Sequence, residues 1–188
     1  MLQRLLRASW RSSDASGSDT PEDFYVYRVN CPEGFRDIVS LVRPGTSFEG
    51  GLAGNAVLGT CRRLLTKGDK VTPENFIPSG TFVRLLHAVI AAHGPETREL
   101  QRAARQQAEG WVYLIDARTP DPSGEVPPRY IIGAFEVTGG TIVPSCYKRN
   151  PAHMLISQDG IFKLQDELHD RVLQAVGQGT VAGSHATA

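Results

Sequence analysis

YIIGAFEV, residues 130–137, is the most informative segment of the chain, because it combines an apolar β-strand pattern with a single carboxylate. Side chains alternate across a strand, so Ile132, Ala134 and Glu136 share one face and the intervening residues share the other. A carboxylate in such a strand lies either on a solvent-exposed face or in a cleft. The small side chain of Ala134 leaves space beside Glu136, which favours a cleft.

Strands are also predicted on both sides of this segment. Residues 111–116, WVYLID, alternate in hydropathy and favour a strand. A Gly-Gly turn at residues 139–140 leads into residues 141–147, TIVPSCY, which are again strand-like. Trp111 and Tyr113 are expected to pack in the core or within the sheet rather than to bind a ligand.

The helical patterns lie before and after these strands. The clearest amphipathic helix carries apolar residues at helical spacing, namely Phe82, Leu85, Leu86, Val89 and Ile90. Residues 96–109 predict a second, polar helix, and residues 161–176 predict a closing helix.

Nearer the N-terminus, residues 24–29, FYVYRV, are aromatic and β-branched and predict a strand. A short helix is expected to begin at Pro32, since Phe35, Ile38, Val39 and Val42 recur behind it at helical spacing. Residues 56–65 are expected to form another helix.

This order groups helices early and strands late, which favours an α+β fold over a regularly alternating parallel sheet. One domain is predicted over residues 24–176, between a disordered or targeting leader, 1–23, and a disordered tail, 177–188. The first 13 residues hold three arginines and no acid. That pattern fits a mitochondrial presequence, the leader of an exported bacterial effector, or a floppy terminus.

The composition of the chain argues against several classes of function. Lys and Arg number 20, and Asp and Glu also number 20, so the net charge is zero and gives no support for broad electrostatic binding of nucleic acid. No apolar run approaches the length of a membrane span. The three cysteines, Cys31, Cys61 and Cys146, form no CxxC pair, so no metal site is predicted. Reduced cysteines are the simpler expectation, and one disulfide stays open.

Three short motifs occur in a fixed order along the folded region. They are VYRV at residues 26–29, FIPSGT at residues 76–81, and EVTGGTIVP at residues 136–144. In this order and spacing the chain resembles the bacterial mono-ADP-ribosyltransferase toxins of the cholera and pertussis type. Those enzymes carry an arginine on the first strand, a Ser-Thr-Ser motif before a helix, and a catalytic glutamate followed by a proline.

The resemblance implies an ADP-ribosyltransferase-like split β-sheet sandwich with flanking helices. It implies NAD as the substrate, no metal, and an unidentified acceptor that is expected to be a protein. Glu136 and Ser79 would be catalytic. Arg28 would bind the pyrophosphate of NAD, and the remaining cofactor contacts would come from Tyr27, Asn55 and Thr81.

The chemistry requires these residue types. Cleavage of the nicotinamide bond creates positive charge on the ribose, and the leaving nicotinamide needs no general acid because it is already cationic. A carboxylate such as Glu136 can stabilise that charge by accepting from a ribose hydroxyl. Arg28 offers a fork of donors to the pyrophosphate, and the Ser79 hydroxyl can steer the carboxylate.

Several alternatives stay open from the sequence. Ala134 stands where many relatives of this type carry a second acid, no histidine lies between Arg28 and Ser79, and Gly80 replaces the middle threonine of the serine motif. A plain NAD glycohydrolase or a non-catalytic interaction domain would fit these departures. Ser79 or Thr81 could cap the following helix.

Two further alternatives concern Arg28 and the cysteines. Arg28 could be a solvated charge at the end of its strand. An unrelated α+β hydrolase using Cys61 or Cys146 as its nucleophile is the third possible function.

Overall fold

The computed structural model describes residues 9–10, 24–43, 52–119 and 124–181. Their strands are antiparallel and are accompanied by three α-helices within those ranges, so the α+β prediction is confirmed. The chain forms two compact units, residues 1–84 with 173–188 and residues 85–172. Most of the predicted leader and residues 182–188 of the predicted tail lie outside the described residues.

The first unit is built on a five-stranded antiparallel sheet whose strands follow one another in chain order. Its strands are β1 (Ser9–Trp10), β2 (Tyr25–Cys31), β3 (Gly34–Ser40), β4 (Val57–Cys61) and β5 (Phe76–Pro78). Tyr27, Val29 and Ile38 form one buried apolar cluster, which places one face of this sheet in a core.

Two predicted helices of this unit were wrong. The pattern behind Pro32 belongs to β3, because the chain reverses at residues 32–33 and pairs β2 with β3 over seven consecutive residue pairs. Gly34 takes a positive φ of 116° at this reversal, which glycine tolerates. The predicted helix at 56–65 is a short 3₁₀ turn, Gly54–Ala56, followed by β4 between β3 and β5.

The second unit contains a three-stranded antiparallel sheet with β7 at its centre. Its strands are β6 (Gly110–Ile115), β7 (Ile131–Thr138) and β8 (Thr141–Arg149). A separate two-stranded ribbon pairs β9 (Ile156–Ser157) with β10 (Gly160–Ile161). The strand predictions in this part of the chain are confirmed.

Three helices accompany these sheets. They are α1 (Gly80–His93), α2 (Arg98–Gln107) and α3 (Asp166–Val181). The first two were predicted. The third begins later than the predicted residue 161, because residues 160–161 belong to β10, and it extends past residue 176 to Val181. Within the described ranges, no helix combines the length and the apolar character that crossing a membrane requires.

Candidate functional site

Glu136 lies on β7, the central strand of the three-stranded sheet. It is paired with a residue of β6 but with none of β8. Phe135 pairs with Tyr147 and Val137 pairs with Ile142, so the register between β7 and β8 shifts across Glu136. Residues 143–146 of β8 form the irregular segment opposite it. Pro144 in this segment has no backbone N–H to donate to a hydrogen bond between strands. Such bulges re-aim side chains and are common beside functional sites.

The carboxylate of Glu136 is half-buried and is held by a rigid backbone. Its neighbours Phe135 and Val137 are buried, with 0% and 1% of their surface exposed. Among the described residues, the Glu136 carboxylate has no hydrogen bond and no ion pair. It is therefore an anchored acid whose accepting oxygens are not used by any other residue in the described part of the chain.

Aromatic and basic side chains surround Glu136 on its face of the sheet. Trp111 of β6 pairs directly with Glu136, and Tyr113 pairs with Ala134. Ala134 in turn pairs with Lys148 of β8, so all five residues share one face. The Lys148 ammonium lies 4.2 Å from the centre of the Trp111 ring, in a cation–π contact.

Tyr113 was expected to pack in the core or within the sheet, and it lies within the sheet, on β6. It does not pack in a core, since 54% of its surface is exposed. Trp111 is half-buried and Lys148 is exposed. Sequence reasoning missed Lys148, although the alternation of residues along β8 was a signal that could have placed it opposite Ala134.

Arg28 lies on β2 and is not a solvated strand end. Its guanidinium donates to both carboxylate oxygens of Asp37, at 2.8 and 2.7 Å, and to the carbonyl of Leu65 at 2.7 Å. Asp37 is 2% exposed and also accepts from the Leu65 amide. The hydrogen bond to Asp37 raises the pKa of Arg28 further. In this structure the arginine compensates a buried carboxylate.

Ser79 precedes α1 and caps it. The Ser79 hydroxyl accepts from the Phe82 amide at 3.3 Å, and the Ser79 carbonyl accepts from the Val83 amide at 2.9 Å. The capping alternative is thus confirmed for Ser79. Thr81 is exposed in the first turn, where its hydroxyl accepts from Arg84 at 3.2 Å.

The remaining predicted contacts to NAD also belong to the first unit. Tyr27 is 3% exposed, and its hydroxyl donates to the Val42 carbonyl at 2.5 Å. Burial, together with Tyr25, raises the pKa of Tyr27 to about 12. Asn55 is half-buried in the 3₁₀ turn that precedes β4.

The structure brings only some of the predicted residues together. Tyr27 and Arg28 are neighbours on β2, while Ser79 and Thr81 lie at the start of α1, directly after β5. Strands β3 and β4 separate β2 from β5, which corresponds to roughly 14 Å at the usual spacing of neighbouring strands. Glu136 belongs to the second unit.

The cysteines are free thiols. Burial raises the pKa of Cys61 to about 11, and Asp37 contributes in the same direction. The neutral thiol is then the stable form at pH 7, whereas a cysteine nucleophile needs a lowered pKa. Cys146 is half-buried beside Ser145, with 3.9 Å between sulfur and hydroxyl oxygen.

A buried polar cluster around Arg118 was not predicted. Arg118 donates to both carboxylate oxygens of Asp116, to the Ser157 hydroxyl and to two backbone carbonyls. Asp116 is 0% exposed and also binds His153 Nε2 at 3.1 Å and the Lys163 amide. All five guanidinium donors are therefore used internally, which makes the cluster a structural one.

A second unpredicted contact joins α1 to the other face of the three-stranded sheet. His87 Nδ1 lies 2.7 Å from the Tyr147 hydroxyl. Burial, His153 and Arg149 lower the pKa of His87 to about 4. Gly133 makes room for this contact, since a Cβ there would lie 2.5 Å from the Tyr147 oxygen.

No protein family, curated protein or solved structure matches this chain. Among residues 9–10, 24–43, 52–119 and 124–181, no group of three or more histidine, cysteine or acidic side chains is placed to hold a metal ion. The resemblance to ADP-ribosyltransferase toxins stays a prediction.

Proposed function

We propose that this protein cleaves the nicotinamide bond of NAD, as a mono-ADP-ribosyltransferase or an NAD glycohydrolase, with Glu136 as the catalytic carboxylate. The observation that carries the proposal is the state of Glu136. Its carboxylate lies on a rigid central strand, opposite a bulge, and has no protein partner among the described residues. A positioned acid of this kind suits the stabilisation of developing positive charge.

The neighbours of Glu136 support the same chemistry. Trp111 adjoins it across β6, and Lys148 adds a positive charge on the same face. A carboxylate for ribose hydroxyls, an aromatic ring for a planar base and a cation for phosphate are the groups that a dinucleotide needs. The division of the strands into separate antiparallel sheets of five and three supports the split-sheet expectation.

The experiment is an assay of nicotinamide release from NAD by the purified full-length chain. Glu136→Gln keeps the shape of the side chain and removes its charge. We expect release to fall by about 100-fold or more, the usual cost of losing one key electrostatic contact to a transition state. Glu125→Gln, which removes an exposed acid from the same unit, is the matched control. Equal release by the two variants would contradict the proposal.

The second candidate is a non-catalytic interaction domain, and the state of Arg28 favours it. The guanidinium N–H groups of Arg28 that would bind the pyrophosphate donate instead to Asp37 and to the Leu65 carbonyl. Calorimetric titration with NAD separates the two candidates. Heat of binding with nicotinamide release supports the enzyme, while no heat and no release support the interaction domain.

A further inference from the structure

The long loop between β4 and β5, residues 62–75, lines an open cavity of about 500 Å³ in the first unit. Sites for small molecules have volumes of about 300–1,000 Å³, so this cavity can hold more than a single ion. Its wall combines three cations, Arg62, Arg63 and Lys70, with two acids, Asp69 and Glu74. None of the described residues that line it has an apolar side chain.

Hydrogen bonds within the loop and to the sheet fix the shape of this cavity. Asn75 joins the two ends of the loop, since its carbonyl accepts from the Arg62 amide at 2.7 Å. Its side-chain amide also donates to the Lys70 carbonyl at 2.9 Å. Leu65 fastens the loop to β3, because its amide donates to Asp37 at 2.7 Å. A site that is fixed before binding loses less conformational entropy when a ligand arrives.

Two of the three cations in the cavity wall are available to a ligand. The third, Arg63, is paired with Asp69 at 2.7 Å, and this hydrogen bond lowers the pKa of Asp69. The side chains of Arg62 and Lys70 have no hydrogen bond and no ion pair within the part of the chain that the structure describes. Their charges can therefore attract an anion.

Glu74 adds a negative charge to the same wall. The Thr72 hydroxyl donates to its carboxylate, and this hydrogen bond lowers the pKa of Glu74, so the acid is ionised at pH 7. A carboxylate repels a bare anion but accepts hydrogen bonds from hydroxyl groups. A ligand with both an anionic group and hydroxyls would satisfy the two cations and the acid together.

We propose that this cavity binds a phosphorylated sugar or polyol, with the phosphate on Arg62 and Lys70 and a hydroxyl on Glu74. A phosphate monoester carries about −1.5 to −2 charges at pH 7, which suits two cations better than a carboxylate does. Arginine binds phosphate through paired N–H donors, and lysine binds it as a point charge. The polar wall offers no ring for a nucleobase to stack on. The site does not involve Glu136, which belongs to the second unit.

Calorimetric titration of the full chain with glucose 6-phosphate tests the two cations. Arg62→Gln and Lys70→Gln should each weaken binding by about 10-fold or more, because a hydrogen bond between charged groups is lost. Both side chains are exposed, so neither change removes a packed group. Lys67→Gln removes the same charge from an exposed position of the same loop that does not line the cavity. It should change the affinity by less than about twofold at ~0.15 M salt.

Glu74→Gln distinguishes a sugar phosphate from a bare anion. Inorganic phosphate should bind this variant more tightly, because a like charge is removed. Glucose 6-phosphate loses a charge-assisted hydrogen bond, so its preference over inorganic phosphate should fall by about fivefold or more. An equal change in the two affinities would overturn the assignment to a sugar phosphate.

The proposal is overturned if glucose 6-phosphate does not bind, or if Lys67→Gln weakens binding as much as Lys70→Gln does. Binding to vesicles that carry phosphatidylinositol 4-phosphate, without binding of glucose 6-phosphate, would overturn it in favour of a membrane surface. If a variant does not fold, the amide resonances of Gly68 and Lys70 in the unmodified chain must shift with glucose 6-phosphate. Neither phosphate probe contains a nicotinamide bond, so these results do not depend on NAD cleavage.

Discussion

At the scale of single residues, Arg28 was predicted to bind the pyrophosphate of NAD, but in the structure it forms an ion pair with the buried Asp37. Asp37 is 2% exposed, and Arg28 supplies its counter-charge through two hydrogen bonds. The sequence placed Arg28 on its strand correctly. It could not reveal Asp37 as the partner, because the expected helix behind Pro32 would have removed the pairing that sets Arg28 opposite Asp37.

Removal of Arg28 is therefore expected to destabilise the fold whatever its role toward NAD. Arg28→Ala leaves the Asp37 carboxylate buried without its ion pair, at a cost of about 3–5 kcal/mol in the free energy of unfolding. Urea denaturation measures this. Arg36→Ala, on β3 and exposed, should change the free energy by less than about 0.5 kcal/mol. A loss for Arg28→Ala no larger than that of Arg36→Ala would show that the Asp37 pair is not needed.

At the scale of elements, α1 depends on Ser79, the residue that directly precedes it. The Ser79 hydroxyl accepts from the Phe82 amide, one of the N–H groups in the first turn of the helix. Ser79→Ala should lower the free energy of unfolding by about 1 kcal/mol, and Ser79→Asn should restore most of it. Thermal unfolding checks both variants. Thr81→Ala is the control, and a Ser79→Ala variant as stable as Thr81→Ala would contradict the capping role.

The elements that the sequence predicted well are those with one strong periodic signal. Helix α1 carries its apolar residues on one side, and β6 to β8 alternate or are joined by a Gly-Gly turn. Strand β3 was missed because Phe35, Ile38, Val39 and Val42 also fit helical spacing. Only the long-range pairing with β2 and β4 decides against a helix, and that pairing is not visible in a local pattern.

The candidate site was predictable in part for the same reason. Alternation along residues 130–137 indicated the face of Glu136, and the register confirms that Ala134 shares it. The bulge opposite Glu136 and the approach of Lys148 to Trp111 depend on how β8 pairs with β7. Neither follows from the residues of one strand.

At the scale of the whole molecule, His87 makes stability depend on pH. Its pKa is lowered from 6.5 to about 4 in the folded chain, so the unfolded chain binds the extra proton between these values. Stability is therefore unaffected above pH 6.5 and falls as the pH is lowered toward 4. His87→Gln cannot titrate, so its urea midpoint should fall less steeply over that window.

The control for this pH effect is His169→Gln, which removes an exposed histidine from α3. Its urea midpoint should follow the wild-type dependence. Identical acid dependence in His87→Gln and the wild type would show that burial of His87 does not disfavour the protonated imidazole.

The role of Glu136 in NAD cleavage can be measured by the rate of nicotinamide release at saturating NAD. The wild type, Glu136→Gln and Glu136→Asp are compared after circular dichroism has shown equal folding. We predict measurable release by the wild type and a loss of about 100-fold or more in Glu136→Gln. The shorter carboxylate of Glu136→Asp should also lower the rate, since the position of the charge matters. Release by Glu136→Gln within twofold of the wild type would show that Glu136 is not the catalytic carboxylate.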